Sequence, residues 1–328
     1  MAQQQQQILE TSSVNKVNLP DGSEVINGYR VYEELGSGTF ANVKLCEEES
    51  SAERFAMKVF RKGMLRKQRE FIKDEATGSM RVRTSLDKVR GEVLLMKRIA
   101  HENCIRLYAV FDEAEDHGKL YLIIEYAAGG STMDWDPERR LFRTRATSNG
   151  LVPEVLAASY LRDTLCGLGY LHSLPIAHRD VKPQNLLVHA DGRVKIGDFG
   201  VAIDMEPNFI IRGTEGSYTF FSPEMCRTPY NGHDGRLTDV WAAGVSLWAF
   251  LYGSVPIWRD EILPLLDAIA EAKYTVPVDA GVSAPGEAFL RRLLTPEPGE
   301  RPLPAELLED PWCRSPPRAT ARTKNPCS

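Results

Sequence analysis

A stretch near the middle of the chain holds a carboxylate, a lysine and an amide within six residues. Residues 178–185 read HRDVKPQN, and another carboxylate, Asp198, follows a short apolar segment thirteen residues after Asn185. Two oxygen ligands, Asn185 and Asp198, suit Mg²⁺, which takes few protein oxygens and completes its shell with substrate phosphates. Asp180 is free to orient and accept a hydroxyl proton, and Lys182 can neutralise charge on a transferring phosphoryl group. The set therefore predicts metal-assisted phosphoryl transfer.

A glycine turn and a lysine upstream could serve the same chemistry. Residues 36–43 read GSGTFANV, and Gly36 and Gly38 would let backbone N–H groups approach phosphate oxygens. Alone the turn is a weak signal, because the third glycine of the usual pattern is Ala41. Lys58 lies in the apolar stretch FAMKVF and needs an anionic partner, which Glu92 near the start of the following helix can supply. On these residues alone, an incidental edge lysine and a surface glutamate stay an alternative.

The hydrophobic pattern predicts the elements that must position these side chains. Strands are expected at residues 29–35, 42–46, 55–60, 105–111 and 120–126. A helix is expected at 91–100, a long helix at 153–172, and mainly helical structure from 240 to 312. A strand-rich N-terminal part and a helix-rich C-terminal part therefore meet near residue 127.

Length and composition fit one large two-lobed domain. The chain has 328 residues, 43% hydrophobic and 26% charged, which excludes disorder as its main state. A net charge of −5 argues against nucleic-acid binding through the whole surface. The six cysteines show no CxxC spacing and are expected to be reduced thiols of a cytoplasmic protein, with nuclear entry left open.

Two further features bear on location and order. No targeting segment is expected at the N-terminus. The apolar run 240–258 is broken by the sequence GSVP at 253–256, so we expect a buried helix over 240–252 and not a membrane span. Residues 1–28 are expected to form a disordered polar tail, and residues 315–328 a short C-terminal tail.

Two basic stretches look inserted. Residues 61–90 hold ten Lys or Arg against four Asp or Glu, and residues 134–152 form a second basic loop. Either could be a docking or regulatory surface, but a solvated connector is the preferred interpretation.

The ordered motifs resemble the eukaryotic protein kinase family over residues 29–314. The resemblance implies an α+β, bilobal protein kinase fold. Its N-lobe, 29–126, would hold an antiparallel five-stranded sheet with one main helix, and its C-lobe, 127–314, would be mainly helical.

The same resemblance assigns roles to individual residues and implies ATP with Mg²⁺ or Mn²⁺. Lys58 would hold the α- and β-phosphates and pair with Glu92, Asp180 would be the catalytic base beside Lys182, and Asn185 and Asp198 would bind metal. The implied ATP site comprises Leu35, Gly36, Ser37, Gly38, Thr39, Phe40, Ala41, Asn42, Val43, Ala56, Lys58, Glu92, Ile124, Glu125, Ala127 and Leu187.

The resemblance also defines an activation segment from Asp198 to Glu224. Glu224 would form a structural ion pair with Arg301, and Ser217 would bond Asp180 and Lys182. Arg179 could pair with a phosphate on the segment, but Asp204, Glu206 or Glu215 could already supply the charge, so we expect activity to be largely independent of Thr214 phosphorylation. The activation-segment residues singled out are Phe199, Gly200, Thr214, Ser217 and Glu224.

Finer features point to a subfamily. The lysine two residues after Asp180, Lys182, resembles the pattern of the serine/threonine branch of the family. The positions at which many kinases carry acids that bind a substrate arginine resemble Ser131 and Gln184, which are neutral, so a simple preference for substrate arginine is not expected. The sequences KGMLRKQREF, GGSTM and HRDVKPQNLLV resemble the calcium/calmodulin-dependent protein kinase kinases, and GYRVYEELGSG also resembles the liver-type kinase that activates AMP-activated kinase. The resemblance implies a protein substrate that is itself a kinase. We expect no calmodulin binding, because bulky anchors do not recur at helical spacing after Trp312.

Three alternatives stay open at this level. The chain could be a serine/threonine kinase of another subfamily, or a pseudokinase scaffold on the same fold, although Lys58, Asp180 and Asp198 are all present. A small-molecule kinase is disfavoured, because the segment containing Glu224 and its Arg301 partner resembles the peptide-docking part of protein kinases.

Overall fold

A computed structural model describes residues 8–38, 41–73, 80–205, 208–230, 232–277 and 281–314. The chain divides into two compact units. The first unit runs to Ala100 and resumes over Ile105–Tyr126, and the second holds His101–Cys104 and the chain from Ala127 onward. The first unit is a sheet with two helices and the second is mainly helical, so the α+β class expected from the sequence is confirmed.

The first unit is built around an eight-stranded sheet with the strand order β1-β9-β10-β6-β5-β4-β3-β2. A separate two-stranded hairpin, β7–β8, also belongs to this unit. Its strands are β1 (Leu9–Thr11), β2 (Lys16–Asn18), β3 (Glu24–Ile26), β4 (Tyr29–Ser37), β5 (Ala41–Glu48), β6 (Arg54–Arg61), β7 (Arg69–Lys73), β8 (Met80–Thr84), β9 (Leu107–Asp112) and β10 (Lys119–Glu125). Its helices are α1 (Lys62–Lys67) and α2 (Ser85–Met96).

The five predicted strands are present as β4, β5, β6, β9 and β10, but they are not the whole sheet. The prediction of a disordered tail over 1–28 is wrong for residues 8–28, because these residues supply β1, β2 and β3. Strand β1 also pairs with β9 in parallel, so the sheet is not purely antiparallel. Residues 1–7 lie outside the described residues.

One face of this sheet carries a continuous apolar core. Its buried members come from β3, β4, β5, β6, β9 and β10, and β3 thus covers surface that a five-stranded sheet would leave open. Alternation along each strand puts every second residue on this face. The buried residues are Ile26, Tyr29, Val31, Cys46, Phe55, Met57, Ala109, Phe111, Tyr121 and Ile123.

The basic insert 61–90 is not an open connector. Its described residues form α1, the β7–β8 hairpin and the first part of α2. Helix α2 begins at Ser85 and not near residue 91, because Thr84 and Asp87 form a capping box at its N-terminus. Lys62 of this insert is buried and its Nζ lies 2.7 Å from Asp112 Oδ1.

The second unit is mainly helical, as predicted. Its helices are α3 (Glu154–Ser173), α4 (Pro223–Cys226), α5 (Gly235–Tyr252), α6 (Ile262–Glu271), α7 (Ala284–Leu293), α8 (Pro304–Leu308) and α9 (Pro311–Arg314). Its short strands are β11 (Gly130–Ser131), β12 (Asp134–Asp136), β13 (Leu141–Arg143), β14 (Ile176–Ala177), β15 (Leu186–Val188), β16 (Val194–Ile196), β17 (Ile203–Asp204), β18 (Ile210–Ile211) and β19 (His233–Asp234).

The apolar run 240–258 contains a buried helix, α5. Trp241, Leu247 and Phe250 on this helix are at most 1% exposed, and α5 ends where Gly253 takes a left-handed conformation. Asp234 caps its N-terminus by accepting the Arg236 N–H, so the helix starts earlier than predicted. None of the helices in the described part of the chain has both the length and the hydropathy that a bilayer crossing requires.

The second basic insert, 134–152, contains a hairpin. Strands β12 and β13 pair antiparallel, with Trp135 opposite Phe142. Three of its arginines have acidic partners: Arg139 with Asp136, Arg140 with Asp260 and Arg145 with Asp134.

Candidate active site

The predicted site residues are divided between the two units: the glycine turn, Lys58 and Glu92 lie in the first, and Asp180, Asn185 and Asp198 lie in the second. In the first unit, Lys58 lies on β6 and Glu92 lies in the middle of α2. The Lys58 Nζ is 2.8 Å from Glu92 Oε1, and the two side chains are 17% and 4% exposed. This confirms the predicted pairing. A buried carboxylate fixes the ammonium in place, and such a fixed charge is suited to a phosphate.

The glycine turn between β4 and β5 is open. The Gly38 N–H donates to the Ala41 carbonyl at 2.8 Å, and Asn42 Nδ2 donates to Glu34 Oε2 at 3.0 Å. A Cβ placed on Gly36 would meet no atom within 4 Å, so its backbone is accessible. This arrangement fits a turn that a phosphate can approach. The predicted turn residues Thr39 and Phe40 lie outside the described residues.

The other predicted nucleotide contacts differ in exposure. Ala56 is buried, Ile124 is half-buried, and Leu35 is 42% exposed. In the first unit the Glu125 N–H donates to the Arg106 carbonyl at 2.9 Å. The remaining members are Ser37 at the end of β4, Val43 on β5, Ala127, whose carbonyl accepts the Gly130 N–H at 3.0 Å, and Leu187 on β15.

In the second unit, three side chains surround the Asp180 carboxylate. Its Oδ1 accepts the Ser217 N–H at 3.1 Å and the Ser217 hydroxyl at 2.8 Å. Its Oδ2 lies 2.7 Å from Lys182 Nζ and accepts from Asn185 Nδ2 at 2.9 Å. Lys182 Nζ also donates to Ser217 Oγ at 2.9 Å. The predicted contacts of Ser217 with Asp180 and Lys182 are confirmed, and the carboxylate is held in one orientation.

Asp239 of α5 fixes the backbone of the catalytic segment, residues 178–185, through hydrogen bonds to its first two N–H groups. Its buried carboxylate accepts the N–H groups of His178 and Arg179 at 2.9 and 2.8 Å, and lies 3.0 Å from His172 Nε2. Burial alone would raise the pKa of Asp239, but the hydrogen bond and charge of His172 and the backbone donor of His178 hold that pKa below its usual value. Asp239 therefore stays ionised and fixes Arg179, whose φ is 68°.

The two candidate metal ligands lie on separate segments, Asn185 just before β15 and Asp198 in the turn after β16. Asn185 donates through Nδ2 to Asp180, which leaves its carboxamide oxygen as the ligand atom, and its carbonyl accepts the Gly197 N–H at 2.8 Å. Asp198 has a φ of 56° and an exposed side chain. The turn is fixed because His178 Nε2 contacts the Gly197 carbonyl at 3.0 Å and the His178 ring packs on buried Phe199.

Amide and carboxylate oxygens fit Mg²⁺, which takes its other ligands from phosphate and water. Among the described residues, no cluster of three or more His, Cys, Asp or Glu could hold a metal by itself. The donor set thus suits a metal that arrives with a phosphate-bearing substrate.

The activation segment is anchored near the catalytic aspartate by a glycine. Gly216 has a φ of 121°, and a Cβ there would clash with the Arg179 carbonyl oxygen. Only glycine therefore brings Ser217 to Asp180. Arg179 Nη2 lies 3.2 Å from Glu215 Oε2, and Thr214 is exposed. The structure thus pairs Glu215, one of the acidic residues named above, with Arg179. Glu206 lies outside the described residues.

A second anchor of this segment is buried. Arg301 donates to both carboxylate oxygens of Glu224 at 2.7 and 3.0 Å, and to the carbonyls of Leu237 and Thr295 at 2.8 and 3.0 Å. Its guanidinium lies 5.1 Å from the Trp241 ring centroid. The predicted Glu224–Arg301 pair is confirmed.

Sequence reasoning did not identify two of the positioning residues. His172 lies at the end of α3 and contacts Asp239, and Gly216 precedes Ser217. The glycine directly before a predicted contact residue was an available signal, whereas nothing local to His172 indicated its contact, since Asp239 is far from it in sequence.

A mixed sheet unit carrying a lysine–glutamate pair, and a helical unit carrying Asp180, Asn185 and Asp198, define a phosphotransferase of the protein kinase class. Residues 29–313 match the family described as protein kinase domain. The chain is 33% identical over 297 residues to a calcium/calmodulin-dependent protein kinase kinase of Caenorhabditis elegans, covering 88% of this chain and 52% of that protein.

Two other relatives agree. A probable serine/threonine-protein kinase of Dictyostelium discoideum is 33% identical over 305 residues, covering 92% of this chain and 40% of that protein. The serine/threonine-protein kinase GRIK1 of Arabidopsis thaliana is 30% identical over 306 residues, covering 93% of this chain and 71% of that protein. The chain thus spans about half the length of the first two relatives. It belongs to the eukaryotic serine/threonine protein kinase family.

Proposed function

We propose that the chain transfers the γ-phosphate of ATP to a serine or threonine hydroxyl of a protein. The observation that carries the proposal is the Asp180 carboxylate, oriented by Lys182, Asn185 and Ser217. The two oxygens offer about four acceptor sites, which the Ser217 N–H and hydroxyl, Lys182 and Asn185 fill. A substrate hydroxyl would take the place of one of these side-chain donors on the oriented carboxylate.

Each residue then has a defined part in the transfer. Asp180 orients the hydroxyl and accepts its proton as the new O–P bond forms, while the bond from the γ-phosphorus to the β–γ bridging oxygen breaks and ADP leaves. Lys182, whose Nζ lies 2.7 Å from Asp180 Oδ2, offsets negative charge on the phosphoryl group in the transition state. Lys58, fixed by Glu92, holds phosphates of the nucleotide, and Asn185 and Asp198 would hold the metal. Bound Mg²⁺ would supply neutralisation of the phosphate charge.

We further propose that the protein substrates are activation loops of other kinases, of the AMP-activated-kinase type. The support is the likeness to the kinase kinase of C. elegans over 88% of this chain, together with neutral Ser131 and Gln184, which do not favour a basic substrate motif. We place the activity in the cytoplasm, where ATP and reduced thiols are found. The five described cysteines, which are free thiols, are Cys46, Cys104, Cys166, Cys226 and Cys313.

The test measures transfer of labelled γ-phosphate from Mg-ATP by the purified chain. One substrate is a catalytically dead kinase domain of the AMP-activated type, and the other is a generic basic protein. Asp198→Ala removes the candidate metal ligand. Asp116→Ala is the matched control, because it removes an equally charged side chain that is 76% exposed and pairs with Arg66.

The outcomes separate the two levels of the proposal. Label on the activation-loop threonine, lost in Asp198→Ala and kept in Asp116→Ala, supports an upstream kinase. Label on the generic protein alone keeps the kinase and refutes the substrate assignment. Nucleotide binding without transfer to either substrate would favour a scaffold.

A further inference from the structure

The first unit carries a cavity on the side of the sheet opposite Lys58, and its lining adjoins the glycine turn through Gly38 and Asn42. It has a volume of about 310 Å³ and lies on the face of the sheet that holds the apolar core, away from the Lys58–Glu92 pair. Side chains alternate along β6, so Met57 and Val59 face the cavity while Lys58 faces the opposite side. A volume of this size is at the lower end of the range for small-molecule sites, about 300–1,000 Å³.

Three cations line the cavity: Lys44 from β5, Arg61 from β6 and Lys119 from β10. Within the part of the chain that the structure describes, none of the three makes an ion pair. Arg61 and Lys119 are directly opposite each other in the antiparallel β6–β10 register. Like charges in that relation repel and destabilise a sheet. An anion placed between them would remove the repulsion.

The acidic groups nearby do not balance these charges. Glu24 is the one carboxylate that lines the cavity, which leaves its lining with an excess of positive charge. Glu34, whose carboxylate also accepts from Asn42, is opposite Lys44 in the β4–β5 register and offsets its charge, so the excess rests on Arg61 and Lys119. The lining therefore carries a net positive charge that an anionic ligand could neutralise.

The floor of the same cavity is apolar. Met57 and Tyr121 are buried beneath it, and Val31 and Val59 complete it. Met57 and Tyr121 are at most 1% exposed, and Lys16 Nζ lies 5.5 Å from the Tyr121 ring centroid. The apolar surface left for a ligand is therefore that of half-buried Val59 and of Met64, which is 53% exposed. A ligand that satisfies both features has an anionic head and an apolar body.

We propose that this outer-face cavity, defined by Lys44, Arg61, Lys119 and the floor residues above, binds a small amphiphilic anion. Its carboxylate or phosphate head would lie between Arg61 and Lys119, where the guanidinium can make two parallel hydrogen bonds. Its aryl or alkyl body would pack on Val59 and Met64. Carboxylates and phosphates share this recognition chemistry.

Calorimetric titration of the full chain tests the site with three probes of equal body. These are 4-phenylbutyl phosphate, 5-phenylpentanoate and the neutral 4-phenylbutanol, each with four methylenes between the ring and the head group. We expect an anionic probe to bind at least tenfold more tightly than the alcohol, and the tighter of the two anions to identify the head group. Saturating Mg-ATP should leave this binding in place.

Two double variants remove the same charge from different places. Arg61→Gln with Lys119→Gln takes it from the cavity, and Lys67→Gln with Arg69→Gln takes it from exposed positions outside the cavity. We expect at least a tenfold loss of affinity in the first pair and none in the second. Lys44→Gln alone provides a milder variant, with an expected loss of about threefold, should the first pair fold poorly.

Three results would overturn the site: equal affinity for the alcohol, equal losses in both double variants, or displacement of the probe by ATP. The measurement needs no catalysis, so its failure is separate from a failure of the kinase proposal.

Discussion

Replacing Glu224 by glutamine should destabilise the second unit by about 3 kcal/mol. The Arg301 side chain is fully buried and that of Glu224 is 11% exposed, so glutamine would leave a desolvated guanidinium without its counter-charge. Charge-assisted hydrogen bonds contribute about 1.5–3 kcal/mol each. Loss of one partner from a buried pair costs about 3–5 kcal/mol. We take the lower end, because the carbonyls of Leu237 and Thr295 still accept from Arg301.

Denaturant unfolding followed by tryptophan fluorescence measures this change, and Trp241 beside the guanidinium is a local reporter. The matched control is Asp260→Asn, which removes the carboxylate partner of Arg140 from a pair whose side chains are 57% and 67% exposed. Exposed pairs contribute about 0–1 kcal/mol, so this control should change stability by less than about 1 kcal/mol.

A double variant separates the buried charge from the lost contacts. Glu224→Gln combined with Arg301→Met should lose less stability than the sum of the single variants, because methionine removes the charge that glutamine leaves uncompensated. The reasoning is refuted if Glu224→Gln behaves like the exposed control, or if the two substitutions are additive.

Three other perturbations have defined results. Asp180→Asn should lower kcat by about 10²–10⁴-fold with ATP affinity within about threefold of the original, measured by steady-state kinetics and nucleotide titration; an equal loss of both would contradict its role as base. Thr214→Ala should keep activity within tenfold, because Glu215 already provides a carboxylate to the catalytic segment; a greater loss in the kinase assay would contradict this. Burial raises the pKa of Cys46 and Cys226 to about 12, so at pH 8 their thiolate fractions should be about a thousandfold below that of a thiol of ordinary pKa near 9. Their alkylation by iodoacetamide, followed by mass spectrometry, should be slower in the native protein by the same factor and should become fast after denaturation. Rapid alkylation of these two cysteines in the native protein would contradict this prediction.

The catalytic half of the site could be predicted from sequence because its chemistry is local. Asp180, Lys182 and Asn185 fall within six residues, so their mutual contacts follow from one turn of chain. Lys58 and Glu92 are farther apart. A lysine in an apolar strand requires an anionic partner, but that requirement left an incidental edge lysine as an alternative, and the resemblance to the kinase family was needed to choose Glu92.

The structural features that the sequence did not predict depend on contacts between residues that are distant in sequence or on side chains outside the apolar spacing. Strands β1 and β2 are three residues long and mostly exposed, so they show no alternation of buried and exposed residues. The start of α2 is fixed by Thr84 and Asp87 and not by its apolar spacing. The cations Lys44, Arg61 and Lys119 come from three different strands, and only the sheet register brings them together.

Strand β6 has two functional faces, and this decides how the outer-face cavity can be studied. Lys58 pairs with Glu92 on one face, whereas Met57 and Val59 form the cavity floor on the other. Substituting a floor residue would shift the backbone that carries Lys58, because cores transmit changes of even one methylene. A fall in kinase activity after such a substitution would not separate the two faces. Binding to variants of the rim cations, Arg61 and Lys119, does separate them, because their charged ends can be removed without changing the packing under Lys58.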